Sequence, residues 1–259
     1  MKKTLVLAFL LITSAHANII KLVGVTNCPY TCSENEANPG FVVDLIAEVF
    51  KKEGFEISYT SFKDYEEALE TIKTGNSDIM IDVDPSKNPE LIFMKKPLAY
   101  KHNVIVVPKY LKWKYTSPQS LNELKLAVIE EEIYTNEISE YIAKNKTNPS
   151  RINVKSGHLA RKHNLKDLRF EKVDALIDDR IALRYFYYKK HKPFAFKVAY
   201  TASSKAIHIA FAAKNYRSNK YKEILYRGLK KLTHTQKIKT IFSKYGLSEA
   251  YIRALKKAH

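Results

Sequence analysis

The chain has 259 residues, 45% of them hydrophobic and 27% charged, with a formal net charge of +17. That length allows one large domain or two small lobes with a substantial core, and the absence of a low-complexity tract or repeat excludes a disordered or fibrous protein. The basic balance invites anionic surfaces, lipid headgroups or nucleic acid, but the lysines are scattered and no nucleic-acid motif accompanies them, so they read as a solvated surface.

Lys2 and Lys3 make a short basic start, Leu5 to Ile12 is a compact apolar run, and Ala15, His16 and Ala17 fit a small-x-small cleavage pattern. Residues 1–17 are therefore expected to be a signal peptide, cut before Asn18. The run is too short to span a bilayer, and no Cys follows the cut to carry a lipid. An exported, soluble protein follows, periplasmic or, as the alternative, secreted.

The first strand is expected over Ile19 to Val25. Pro39 and Gly40 make a turn. Val42, Leu45, Ile46 and Val49 then fall at i, i+3, i+4 and i+7, one apolar helix face. Phe55 to Tyr59 reads as the next strand, so the chain opens as a βαβ unit with parallel strands. Asp64 and Glu67 resemble a capping box before a helix through Lys73, with Gly75 as its stop. Asp78 to Val83 is a buried strand ending in acids, and Asn103 to Val107 is another.

A second alternating stretch starts near Lys112. Ser120 and Glu123 suggest a capping box on a short helical turn. Leu126 to Ile129 is a strand, Asn136 to Lys144 a helix and Ile152 to Val154 a strand. His158 to Leu168 is a helix with Leu159 and Leu165 among its apolar positions. Ala175 to Ile177 is a strand, followed by a helix from Arg180 to Lys189. Strands over Phe194 to Val198 and Ile207 to Ala212 precede a helical end, Asn219 to Lys257, broken at Gly246.

The only two cysteines are Cys28 and Cys32. In an oxidising compartment they read as a disulfide; a zinc site would need more ligands, and redox pairs favour two intervening residues rather than three. The eight histidines form no metal set, and no nucleophile-elbow, P-loop or dinucleotide motif appears. No cofactor is expected.

Five pieces in order resemble family 3 of the periplasmic solute-binding proteins: Gly40 to Leu45, Ala68 to Met80, Phe93 to Lys109, Val173 to Asp179, and Lys244 to Gly246. The resemblance implies an α/β fold of type II. In that fold two lobes, each a mostly parallel sheet flanked by helices, are joined by two crossover strands and close on a ligand. Lobe 1 would be residues 18–107 plus 206–259, and lobe 2 residues 108–205. It also implies a monomer, a small-molecule ligand, and an inner-membrane ABC permease or a sensor as partner.

Amino-acid binders of that family hold the ligand carboxylate with an Arg after the fourth strand; here Lys87 stands there, beyond Asp82 and Asp84. Their lobe-2 anion loop is replaced by Glu130, Glu131, Glu132, Ile133 and Tyr134. The acid that takes the ligand amine matches Asp179, next to Asp178, and Tyr30 matches an aromatic cleft wall. Lys offers a point charge where Arg offers a fork. With so many carboxylates expected at the cleft, the ligand should be cationic or amine-rich, unless a metal ion bridges some of them. Two other readings stand beside this one: a dehydratase-like enzyme on the same fold, and a protein without a small ligand that contacts an anionic surface or another protein.

Overall fold

The structure, a computed structural model, describes residues 18–130, 132, 134, 136–157 and 159–258. The expected signal segment, and the candidate Glu131, lie outside the described residues.

The first half is built from β1 (Asn18–Val25), α1 (Phe41–Lys51), β2 (Phe55–Phe62), α2 (Tyr65–Thr74), β3 (Ile79–Ile81) and β4 (Ile92–Phe93). β1 pairs in parallel with β2 and β3, as the βαβ pattern requires. β5 (Ala99–Val107), β6 (Leu126–Ile129), α3 (Asn136–Asn145), β7 (Ile152–Lys155), α4 (Ala160–Arg169), β8 (Ala175–Asp179) and α5 (Arg180–Tyr188) follow. β9 (Lys197–Ile207), β10 (Ile209–Phe211), α6 (Ser218–Leu232), α7 (Gln236–Ser243) and α8 (Glu249–Ala258) complete the chain.

Two five-stranded sheets result, in the orders β2-β1-β3-β10-β4 and β7-β6-β8-β5-β9. Both are mixed: β10 is antiparallel in the first, and β5 runs antiparallel to β8 and β9 in the second. The period-2 alternation of a strand sends neighbours to opposite faces. Ile20 and Leu22 enter one core with Ile79 and Ile81, while Val23 and Met80 enter the core on the other face. In the second sheet Ile105 and Val107 face one core, and Val104 and Val106 the other.

The α1 stripe is buried as its spacing demands, and Asp64 caps α2 by accepting from the Glu67 N–H at 2.9 Å. Three expectations need correction. The strand expected over Phe194 to Val198 is β9, which runs on to Ile207; its small and polar residues, Thr201 to Lys205, give no apolar pattern, and pairing along β5 supplies the order instead. Ser120 caps nothing: it sits inside a 3-10 turn, Pro118–Glu123, with its hydroxyl donating to the Ser117 carbonyl. Leu159 lies before α4 and is 41% exposed, while Arg161 turns inward.

β5 and β9 form a ribbon between the cores. The Leu98 N–H donates to the Ile207 carbonyl, and both side chains lie in the first core; further along, β5 enters the two cores of the second sheet. α5 spans the same gap, with Ile181 and Tyr185 packed among Tyr30, Phe41 and Tyr245. Gly246 has φ +65, and a side chain there would strike the Tyr188 ring.

Candidate functional site

Where the halves meet, the loop after β1 is stapled by a disulfide between Cys28 and Cys32, as expected. The Cys32 N–H donates to the Pro39 carbonyl, and the Phe41 N–H to Pro29. Gly40, at φ +123, is required here because a Cβ would collide with the Tyr30 backbone. The loop is thus fixed against the start of α1, with Tyr30 aimed at β8. Tyr30 is only 1% exposed, so it is an interior group rather than an open cleft wall. The Cys28 and Cys32 sulfurs lie close to the Glu36 carboxylate, but the oxidised pair has no thiolate to offer a metal.

β8 continues through both acids and sends them to different partners. Asp178 is fully buried and takes a fork from Arg161, Nε to Oδ2 at 2.7 Å and Nη2 to Oδ1 at 2.9 Å. This bidentate geometry is the strongest pairing available to a carboxylate. Asp179 caps α5, accepting from the Ala182 N–H at 2.8 Å and the His102 N–H at 2.9 Å. The Tyr30 hydroxyl donates to the same carboxylate at 3.1 Å from each oxygen. Burial, with Asp178 adding to it, raises Asp179 above the ordinary carboxylate range despite the two backbone donors. Burial and the Asp179 charge push the Tyr30 phenol well up, so it stays protonated and keeps its role as donor.

The facing strand end carries Asp82, in the left-handed region at φ +64, which an Asp tolerates better than most residues. Its Oδ2 lies 2.6 Å from Lys101 Nζ. Burial pulls the Lys101 ammonium down, but Asp82, followed by Glu132 and Asp179, outweighs it and holds Lys101 above the usual lysine range. Lys101 Nζ also stands 5.8 Å from the Tyr30 ring centre.

Glu132 is the least satisfied acid. Among the described residues its nearest cationic contact is Arg161 Nη2 at 3.8 Å, beyond hydrogen-bond distance. Burial raises its pKa, Lys101 and Arg161 oppose the rise, and Asp178 and Asp179 add to it. The result, among the described residues, is a seam in which four carboxylates, Asp82, Glu132, Asp178 and Asp179, share two cations, Lys101 and Arg161. The arrangement is one positive charge short of balance even if one acid holds a proton.

Asp84, Lys87 and Glu130 take no part in the seam, and Tyr134 borders it, its phenol pushed up first by burial and then by the Asp178 and Glu132 charges. Asp84 braces its own loop by accepting from the Ser86 N–H at 2.9 Å and hydroxyl at 2.7 Å, which lowers its pKa. Lys87 and Glu130 are exposed. Tyr134 folds onto its own segment, its hydroxyl accepting from the Ile129 N–H and donating to the Ile129 carbonyl.

Two seam residues escape the sequence reading. Arg161 shares a face with Leu165 and Leu168 at i, i+4 and i+7, so a charge on an apolar stripe was the available signal. Lys101 continues the inward alternation of Asn103 and Ile105, which only the full length of β5 reveals.

This architecture, two mixed sheets each flanked by helices with a ribbon passing between them, is the two-lobe type II periplasmic binding protein fold. The chain belongs to the bacterial extracellular solute-binding proteins, family 3, whose pattern matches residues 21–248. Among solved structures, an ArgBP variant from T. maritima is similar at 19% identity and a TM-score of 0.61, covering 88% of this chain and 95% of that one. A Streptococcus mutans structure concerned with glutathione import through GshT and a cystine ABC importer is similar at 16% identity and a TM-score of 0.65, covering 88% and 95%. The ancestral amino-acid-binding protein AncCDT-1, a precursor of cyclohexadienyl dehydratase, is similar at 16% identity and a TM-score of 0.58, with the same coverage. No curated protein sequence matches. No described helix is long and apolar enough to cross a membrane.

Proposed function

We propose that this protein captures a small, polar, amine-bearing or cationic ligand between two lobes, residues 18–107 with 206–259 and residues 108–205, for an ABC-type uptake transporter or a sensor. It acts by binding, without turnover. The observation that carries the reading is the excess of carboxylates in the seam. A buried acid without a partner favours neutralisation, and a ligand ammonium supplies the missing charge at lower cost than a proton would at neutral pH. Glu132 and Asp82 are the recognition groups; Asp178 and Asp179 set the negative field behind them. The arginine-binding and glutathione-import relatives handle amine-bearing solutes, which agrees with this class.

Lys87 is exposed, and the segment replacing the usual anion loop brings Glu132 to the seam, so ordinary capture of an α-carboxylate by those two elements is not the basis of the reading. A second reading, of a protein that binds no small ligand and contacts an anionic surface, draws on the Tyr30 hydroxyl that already fills Asp179. A thermal-shift panel of amines, polyamines, amino acids and small carboxylates decides between them. A native-state ligand raises the melting temperature increasingly as its concentration passes Kd. Shifts with amines support capture. A flat panel together with salt-sensitive vesicle binding supports the second reading.

A further inference from the structure

A cavity of about 370 Å³ lies beside α5, within the size range of small-ligand sites. Three cations, Arg161, Lys189 and Lys190, lie on its lining. Tyr185 and Phe186 give it an aromatic floor, and Cys28 and Glu36 of the stapled loop form the opposite wall. The spacing explains the groove: Ala182, Tyr185, Phe186 and Lys189 fall at i, i+3, i+4 and i+7 on one face of α5 and its C-terminal extension.

The electrostatics of this cavity differ from those of the acidic seam. Its only lining acid among the described residues, Glu36, is already paired with Lys189 at 2.8 Å. Lys190 has no acidic partner among the described residues; its ammonium lies 3.9 Å from the Phe186 ring centre. Arg161 belongs to both places. Its Nε and Nη2 are held by Asp178, while Nη1 makes no hydrogen bond among the described residues. One edge of a guanidinium fixed in orientation by a buried carboxylate is therefore left for an incoming acceptor, at little entropic cost because the side chain is already ordered. Meanwhile the Tyr30 hydroxyl already occupies Asp179, and the cavity at the start of β5, lined by Leu98, Ala99 and Phe242, holds only about 50 Å³, so the larger volume open to a ligand lies along α5.

The geometry points to this cavity as the subsite for a carboxylate at the far end of an elongated, zwitterionic ligand. Its amine end lies against Glu132 and Asp82, and Arg161 bridges the two regions. The inference rests on the amine-binding reading and adds the ligand's second pole: a dipeptide-like span rather than a single amino acid. Aromatic residues beneath the groove suit an apolar or amide body between the poles.

The test uses two probes that differ only in that pole, the dipeptide lysylalanine and its C-terminal amide, titrated calorimetrically into the oxidised protein and its Lys190→Glu variant. The acid should bind the parent at least ~10-fold more tightly than the amide, the effect of one charge-assisted contact. In Lys190→Glu the acid-to-amide ratio should fall to about one, a readout that any general loss of folding leaves untouched. Equal binding of acid and amide by the parent overturns the subsite and leaves the amine-binding reading in place. An acid preference that survives Lys190→Glu places the carboxylate elsewhere and also overturns it. Binding of neither probe overturns the subsite, and the amine panel by itself decides the amine-binding reading.

Discussion

β3 and β8 are both short apolar strands that run into paired acids, Asp82 and Asp84 after the first, Asp178 and Asp179 at the end of the second. Their surroundings are opposite. Asp84 satisfies itself within its own loop through Ser86, and Asp82 keeps 27% of its side chain exposed beside Lys101. Asp178 and Asp179 are 0% and 2% exposed, one locked by Arg161 and the other by two backbone donors and a phenol. A strand end can project acids into water, where they cost little, or into the interior, where each must be answered by a donor. The difference is set by what covers the strand: α4, α5 and the stapled loop close over β8, whereas the loop after β3 stays at the surface.

The largest effect should come from stripping the buried end of its cation. Arg161→Ala leaves Asp178 charged and unpaired at zero exposure, and denaturant unfolding should show a loss of about 3–5 kcal/mol. A loss below about 1 kcal/mol would place Asp178 in contact with water. Tyr30→Phe removes one of three donors to Asp179 and should cost about 1–2 kcal/mol by the same measurement, with the disulfide intact. It should also strengthen amine binding if the hydroxyl competes for that carboxylate; weakened binding would make Tyr30 part of the ligand contact.

A smaller effect, with a definite sign, concerns pH. Burial holds Glu132 and Asp179 above the ordinary carboxylate range. The folded chain keeps those protons at pH values where the unfolded chain has released them, so it binds more protons. Stability therefore falls as pH rises from the ordinary carboxylate range through the raised folded values. Asp84 works in the opposite direction, but it lies near the surface and solvent screens its contribution. Melting temperatures of the parent and Glu132→Gln across that window should diverge, the parent losing ground as pH rises; parallel curves would mean Glu132 is solvated. At the exposed end, Lys87→Ala should leave the unfolding free energy within about 0.5 kcal/mol, the usual range for a surface change.

Most of the architecture was legible in the sequence because period and punctuation carried it: the Val42 to Val49 stripe, the Asp64 cap, the stop at Gly75 and the strand from Leu126 to Ile129. What was illegible depended on partners distant in the chain. Thr201 to Lys205 look like loop until β5 lies beside them. Asp179 was visible as an acid at a strand end, yet nothing local shows that Tyr30, 149 residues earlier, points at it. Arg161 and Lys101 were passed over because a charged side chain reads as surface unless its stripe is followed onto the helix or strand that buries it. The acids that stand in place of the usual anion loop were legible only through the family resemblance; that Glu132, and not its exposed neighbour Glu130, reaches the seam was not legible at all.

The most direct test of the central claim is the affinity of the oxidised protein for the amine that gives the largest thermal shift, measured by calorimetry against Glu132→Gln at neutral pH. Loss of the seam's least satisfied carboxylate should weaken binding about tenfold or more, as expected for one charge-assisted contact, while the ligand-free variant melts no lower than the parent. Equal affinity in parent and variant, a strongest ligand that is an anion without an amine, or no amine binding at all would contradict the account.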